Sequence, residues 1–427
     1  MQNRVQKKKK ISLTTMIFIA LLAGALAGVI INYLIPSNYV VDDIIVQGVF
    51  YIVGQGFIRL MRMLVVPLVF CSIVCGSMAV GDTKKLGSVG VKTLIFYLCT
   101  TALAITVALT IANIFNPGKG LDMSQIHVTS TVSETTQSMS MTETLLDIIP
   151  VNIFNSLSEG NMLQIIVFAL ILGVILANMG DRVDIVKNFF GQFNDIMMEM
   201  TMAVMKLAPI GVFCLIAKTF AEIGFEVFIP LLKYMFCVLL ALAVQCFVVY
   251  LGLLKIFSGL NPFIFIKNFF PVMAFAFSTS TSNATIPMNI DTLAEKMGVS
   301  KKISSFTIPL GATINMDGTS IMQGVAVVFT AQAFGIPLDM MDYLTVIGTA
   351  TLASIGTAGV PSVGLITLTM VFNSVGLPIE GIALIMGIDR ILDMTRTAVN
   401  ITGDAVCTTI VASWNKAVDR DVYYNRK

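Results

Sequence analysis

Between Ile11 and Val41 no residue carries a charge. A stretch of that length has no place in a small soluble core, and it is long enough to cross a bilayer as a helix, which takes about 20 residues. Further apolar stretches run Met63–Val80, Thr93–Gly118, Leu163–Gly180 and Tyr234–Leu254. Residues 185–222 read as one long helix, polar in its first half and apolar from Ala208 to Ala217. Together these make about six conventional spans before residue 258. Composition agrees: of 427 residues, 56% are hydrophobic and 12% are charged. That is about half the charge of an ordinary soluble protein. The formal net charge of +2 gives no basic field for nucleic acid. Met16–Leu34 lacks a small-residue cleavage site and is followed by further spans, so it reads as a retained helix and not a signal peptide.

Catalytic chemistry has little to work with. His127 is the only histidine, and it stands in a polar segment with no cysteine beside it. A His-based metal site or a serine–histidine pair has almost no support. Cys71, Cys75, Cys99, Cys214, Cys237, Cys246 and Cys407 all sit in apolar stretches without a CxxC pair, the pattern of small buried hydrophobes. No enzyme is expected.

The second half is apolar but repeatedly broken. Phe277–Pro287 and Ala353–Gly364 are rich in Ser, Thr and Gly, and each is flanked by apolar segments shorter than a full span. Irregular backbone at membrane depth is tolerated only where protein buries it or where it lines an aqueous cavity. Two re-entrant helical hairpins fit. Each is followed by an interrupted helix, the first carrying Asn315-Met-Asp-Gly-Thr319 and the second Asn400-Ile-Thr-Gly-Asp404. Paired broken segments of this kind locate a transporter binding site. Lys and Arg set the orientation. Arg4 and Lys7–Lys10 place the N-terminus in the cytoplasm, and Lys416, Arg420, Arg426 and Lys427 place the C-terminus there too. No Lys or Arg stands between Lys302 and Arg390, so the second hairpin enters from outside, opposite to the first. The expectation is an all-α polytopic membrane protein of about eight transmembrane helices plus two re-entrant hairpins related as inverted repeats.

The last helix carries the most chemistry. Asp389, Asp393, Arg396, Asn400 and Asp404 follow the spacing i, i+4, i+7, i+11, i+15, which keeps them within roughly 80° of one another. A charge at mid-bilayer costs about 2.5–3.5 kcal/mol on insertion scales. Several on one face point to a polar substrate and ion site, with an ion-pair seam between helices as the simpler account. Asn315 and Asp317, beside the helix-breaking Gly318, offer oxygens suited to a small cation such as Na+. Tyr97, Thr100 and Thr101 add hydroxyls at i, i+3 and i+4, a spacing that also serves plain helix packing. Hairpin helix N-termini at Ser280–Asn283 and near Val360–Gly364 could aim N–H groups at an anion.

These motifs, in this order, resemble the glutamate transporter family, the dicarboxylate/amino acid:cation symporters, and most of all its prokaryotic sodium-coupled aspartate transporters. The likeness covers nearly the whole chain. It includes Phe57-Ile-Arg-Leu-Met-Arg-Met-Leu-Val-Val-Pro67, the Ser/Thr-rich first hairpin, Asn315–Thr319, Ser354–Gly364 and Asp393–Asp404. The resemblance implies a homotrimer in the cell membrane that works as an elevator. Residues 1–86 (spans 1 and 2) and 145–222 (spans 4 and 5) would be static scaffold. Span 3 in 87–116 and residues 223–415 would be the moving transport domain. Residues 117–144 would form an extracellular loop and 416–427 a cytoplasmic tail. By motif match, Asp393 would hold the substrate amino group and Arg396 its side-chain carboxylate. Asn400, Thr397, Thr319 and Ser282 would contact its other polar groups, with Val360 and Gly364 closing over it. For sodium, Tyr97, Thr100, Thr101, Asn315 and Asp317 match one site. Gly311, Asn315, Asn400 and Asp404 match a second. Thr313 with the backbone at Ser354, Ile355 and Thr357 matches a third.

The chain departs from the family pattern in places. Ser280 stands where prokaryotic aspartate transporters often carry Arg, and Met394 where animal members place one. Arg390, four residues before Met394, supplies that charge or balances Asp389. Gln323 replaces the Glu that animal members use for proton and potassium coupling, so potassium counter-transport is not expected. Arg59 and Arg62 read as snorkelling or as pairing with the neighbouring domain. The expected activity is symport of an acidic amino acid, aspartate or glutamate, with Na+. The alternatives are another amino acid (neutral or cystine), proton coupling, or, in a different class, an ion or anion channel.

Overall fold

The structure is a computed structural model, and it describes residues 13–81, 88–121, 149–224, 228–355 and 363–426. Among them there is no strand, and the one β-bridge joins Val299 to Val418. We number the main helices α1 Leu13–Leu34, α2 Tyr51–Gly81, α3 Ser88–Phe115, α4 Met162–Met179, α5 Asp184–Met205, α6 Ala208–Ile223, α7 Phe228–Ala243, α8 Leu251–Ser258, α9 Pro262–Thr279, α10 Ser282–Met297, α11 Lys301–Ile314, α12 Asp317–Ala333, α13 Met340–Ser354, α14 Val363–Ser374 and α15 Gly381–Trp414. Two π-helical stretches, Val40–Phe50 and Val244–Tyr250, lead into α2 and join α7 to α8. By length and composition, six helices among the described residues are able to cross a membrane. This is a multi-pass membrane protein.

The expected single helix over 185–222 is two helices. It breaks at Lys206–Leu207, and α6 restarts with Pro209 in its first turn. Proline lacks the N–H that would continue the ladder, and its ring collides with the preceding turn. Met63–Val80 falls inside α2, while Thr93–Gly118 and Leu163–Gly180 run one to three residues past the ends of α3 and α4, the described part of Ile11–Val41 runs past α1, and Tyr234–Leu254 is divided among α7, the second π-helical stretch and α8.

Two packing groups follow from the apolar faces. α1 lies along α6, and α2 lies against α4, α5 and α6. In lipid, helices gain little from apolar burial alone, so close backbone approach at small residues holds them together. A Cβ on Gly28 would lie 2.5 Å from the carbonyl oxygen of Ala217, and one on Gly24 would lie 2.7 Å from that of Phe213. α3 packs on α12, and α15 touches α9 to α12 as well as α7 and α8; the two groups meet where α15 touches α6 and α1 and where α14 touches α2. α9 and α10 form a hairpin turned by Ser280, whose φ of +51° is left-handed, and α13 packs on α14.

Residues 415–424 do not trail away. Ser300 N–H donates to Ala417 O at 3.0 Å and Asp419 N–H to Gly298 O at 2.8 Å. Tyr423, fully buried, donates its hydroxyl to Asn261 O at 2.9 Å. The tail thus ties down the segment before the α9–α10 hairpin and the turn after it.

Candidate functional site

α15 brings its charged face into the protein interior. Arg396 is 1% exposed. Its Nη1–H donates to Asp389 Oδ1 at 2.7 Å and its Nη2–H to Asp393 Oδ1 at 2.8 Å. The acids lie one and two turns back on the same helix, so the helix itself sets the geometry. The Nε–H of Arg396 is buried and finds no acceptor among the described residues. Leaving a buried donor unmade costs about 1–3 kcal/mol, which an entering acceptor would recover. A Cβ on Gly364 would stand 2.9 Å from Thr319 Cγ2 and 3.7 Å from Arg396 Nη2, so the start of α14 and the first turn of α12 close on the guanidinium. Thr397 donates its hydroxyl to Asp393 O at 2.8 Å.

A second cluster forms where α11 stops. Asn315 has extended backbone (φ −86°, ψ 90°), and helix resumes at Asp317. Asn315 Nδ2–H donates to Asn400 O at 2.9 Å and to Asp404 Oδ1 at 2.8 Å. Asn400 Oδ1 accepts from Gly318 N–H at 2.7 Å. Glycine is required here by space alone. A Cβ on Gly311 would come 2.4 Å from Asp404 Oδ1 and 2.6 Å from the Tyr97 hydroxyl. The side-chain oxygen of Asn315 is buried and unpaired among the described residues.

The third cluster surrounds Asp317, which is fully buried. Thr101 donates to Oδ1 at 2.6 Å, and Gln245 and Tyr250 donate to Oδ2 at 3.0 and 2.7 Å. Gln245 Oε1 is a second buried acceptor with no donor among the described residues. Thr100 caps Tyr97 O at 3.1 Å, and the Tyr97 hydroxyl reaches Thr307 O at 3.3 Å. Among the described residues no three His, Cys, Asp or Glu side chains gather closely enough to hold a metal. A cation here must take amide and carbonyl oxygens along with carboxylate. The two unpaired amide oxygens fit that need.

Other expected residues lie apart from these clusters in their bonding. Ser282 is buried at the start of α10, and its carbonyl accepts from Thr285 at 2.6 Å. Thr313 and Ser354 donate within their own helices, to Leu310 O and Thr351 O, and Ile355 is buried one residue past α13. Thr357 and Val360 lie outside the described residues, as does the side chain of Arg390. Asp389 is held by Arg396. Arg59 is exposed, and the Arg62 side chain is outside the described residues. Gln323 donates to Thr367 at 2.7 Å.

Three residues of the site were not assigned to it from the sequence: Asp389, Gln245 and Tyr250. Asp389 shared the charged face but had no role. Gln245 is the one amide in the apolar stretch Tyr234–Leu254, and a lone polar group at membrane depth is itself a functional signal.

Comparison with known proteins agrees with this geometry. Residues 13–414 match the model of the Sodium:dicarboxylate symporter family. The chain is 40% identical over 411 residues to the proton/sodium-glutamate symport protein of Bacillus caldotenax, covering 95% of each chain. It is 36% identical over 422 residues to the proton/glutamate-aspartate symporter of Escherichia coli, covering 97% of this chain and 95% of that one. It is 33% identical over 372 residues, 86% of each chain, to C4-dicarboxylate transport protein 1 of Ralstonia nicotianae.

Proposed function

Because this chain belongs to the Sodium:dicarboxylate symporter family, a family of transporters and not of enzymes, we propose that it carries aspartate or glutamate across the cell membrane together with Na+. The observation that carries this reading is Arg396, fully buried, paired with Asp389 and Asp393, its Nε–H without an acceptor among the described residues. An acidic amino acid has the complementary charges. Its side-chain carboxylate would take the guanidinium as a planar fork, and its ammonium would take the Asp393 carboxylate that Arg396 releases. Thr319, Thr397, Asn400 and Ser282 would receive the remaining polar groups, with Gly364 and Val360 over the top. A dicarboxylate without an amino group would bring no cation for the Asp393 carboxylate, so an amino acid is the better fit.

Coupling follows from charge. Asp389 and Asp393 pair with the buried Arg396 guanidinium, and Asp317 and Asp404 are buried in the two neighbouring clusters, so buried carboxyl groups outnumber the one buried guanidinium. A further anion entering a low-dielectric interior is costly unless cations come with it. We assign Na+ to Asp317 with Asn315, Tyr97, Thr100 and Thr101, to Asp404 with Asn400, Asn315 and Gly311, and to Thr313 with the backbone of Ser354, Ile355 and Thr357. The unpaired oxygens of Asn315 and Gln245 support the first of these. The division into a static part (α1, α2, α4–α6) and a moving part (α3, α7–α15), sliding as an elevator within a homotrimer with both termini cytoplasmic, is supported by the two packing groups and by the charge distribution. Protons are the second reading for the coupling ion, favoured by the names of the relatives.

The test is aspartate uptake into proteoliposomes under an inward Na+ gradient or an inward H+ gradient at clamped voltage. Accumulation under Na+ alone is expected. Equal accumulation under H+ alone replaces sodium with protons, and no accumulation under either overturns symport.

A further inference from the structure

Outside the site, the outer face of α3 carries an apolar crevice of about 350 Å3. Its walls include Ile95, Cys99 and Leu103 of α3, Phe257 of α8 and Trp414 of α15, and Lys92 is the one charged residue that lines it. From Lys92 to Leu103 the helix rises about 16 Å, close to the depth of one leaflet of a bilayer core about 30 Å thick. Ile95, Leu103 and Phe257 are exposed, so the trough opens outward, where a spanning protein meets acyl chains. Trp414 stands at the same end as Lys92, near the basic tail. Its indole N–H donates to Phe257 O at 3.2 Å, and its ring meets Phe257 edge-on. Tryptophan at a helix end marks the headgroup level. Lys92 makes no ion pair among the described residues.

We propose that this crevice binds an anionic phospholipid, one acyl chain lying in the trough and the phosphate paired with Lys92. The chemistry divides along the groove: a cation and an indole at the wet end, hydrocarbon along the rest. A free phosphate would have no use for the trough, and a zwitterionic lipid would pair less well with a lone lysine. Basic pockets between helices on the cytoplasmic side are where anionic headgroups collect. The inner wall of the crevice includes the buried Thr100, whose neighbour Thr101 bonds Asp317. A bound chain therefore backs the α3 wall of the proposed cation site. The proposal rests on the membrane reading but needs neither substrate nor a particular coupling ion.

Trp414 is the only tryptophan in the chain, which makes it a built-in reporter. The full-length protein is placed in phosphatidylcholine nanodiscs containing a graded fraction of phosphatidylglycerol brominated in its acyl chains. Quenching of Trp414 should saturate at a low mole fraction and exceed, several-fold per mole, that by brominated phosphatidylcholine. Lys92→Gln should abolish the excess and Lys92→Arg should keep it. Cys99→Phe, which fills the trough and leaves Lys92 in place, should reduce it. Equal quenching by the two lipids, or an excess that survives Lys92→Gln or is untouched by Cys99→Phe, overturns the proposal. Because no gradient or substrate is present, a failure here leaves the symport reading standing, and a failure of symport leaves this one standing.

Discussion

In the proposed reading Arg396 selects the substrate, and the glycines packed around it limit what can change nearby. With Arg396→Thr, aspartate uptake should be lost and neutral amino acids such as serine or alanine should become competing substrates. Competition assays in proteoliposomes measure both, and unchanged aspartate affinity would remove Arg396 from the site. Gly403 is a sharper probe of the proposed cation clusters. A Cβ there would lie 2.4 Å from the Tyr250 hydroxyl and 2.6 Å from Asn315 Nδ2. Both are bonded to buried carboxylates, and a packed interior has no room to let them drift. Gly403→Ala should raise the Na+ concentration for half-maximal uptake more than tenfold while the protein still elutes as a single species. At this scale the sequence was informative for α15, because one helix face orders Asp393, Arg396, Asn400 and Asp404 by spacing alone. The spacing also put Asp389 there. Its role was not legible, because an i−7 partner is reached only when the arginine folds back along its own helix.

Among the elements, the π-helical stretch Val244–Tyr250 explains what periodicity missed. A π-helix bonds i to i+5, so residues five apart stack on one face. Gln245 and Tyr250 are five apart, and both donate to Asp317 Oδ2. In an α-helix they would diverge by about 140°, and an apolar stretch gives no cue that the winding changes. Tyr250→Phe removes one hydrogen bond to a buried carboxylate, a change of about 1.5–3 kcal/mol. It should weaken Na+ dependence about tenfold or more with little effect on aspartate binding at saturating Na+, as sodium titrations of uptake would register. The hairpin of α9 and α10, by contrast, was readable, since Ser, Thr and Gly cannot interrupt a lipid-facing helix without exposing backbone; the turn of the second expected hairpin lies outside the described residues. The α1–α6 contact makes a separate prediction. Gly28→Val would push on Ala217 O and the Phe220 side chain, so thermal stability in detergent should fall by several degrees with substrate affinity retained.

For the whole molecule, the first-half spans and the broken second half were visible as composition, while the seam at residues 415–424 was not. Those residues look like an orienting charge run, yet they pack against segments far back in the chain. Tyr423→Ala opens a buried site and frees Asn261 O. It should lower the apparent Tm measurably, whereas Tyr423→Phe, which loses only the hydroxyl, should lower it less. Equal behaviour of the two would show that the hydrogen bond and not the packing holds the seam.

That seam makes the α9–α10 hairpin a lever with its root clamped. Bonds from Ala417, Asp419 and Tyr423 reach Ser300, Gly298 and Asn261, so both legs are fastened near the end of α15. The base cannot splay without tearing the seam, and torque applied at the Ser280 tip passes into the shaft that carries Arg396.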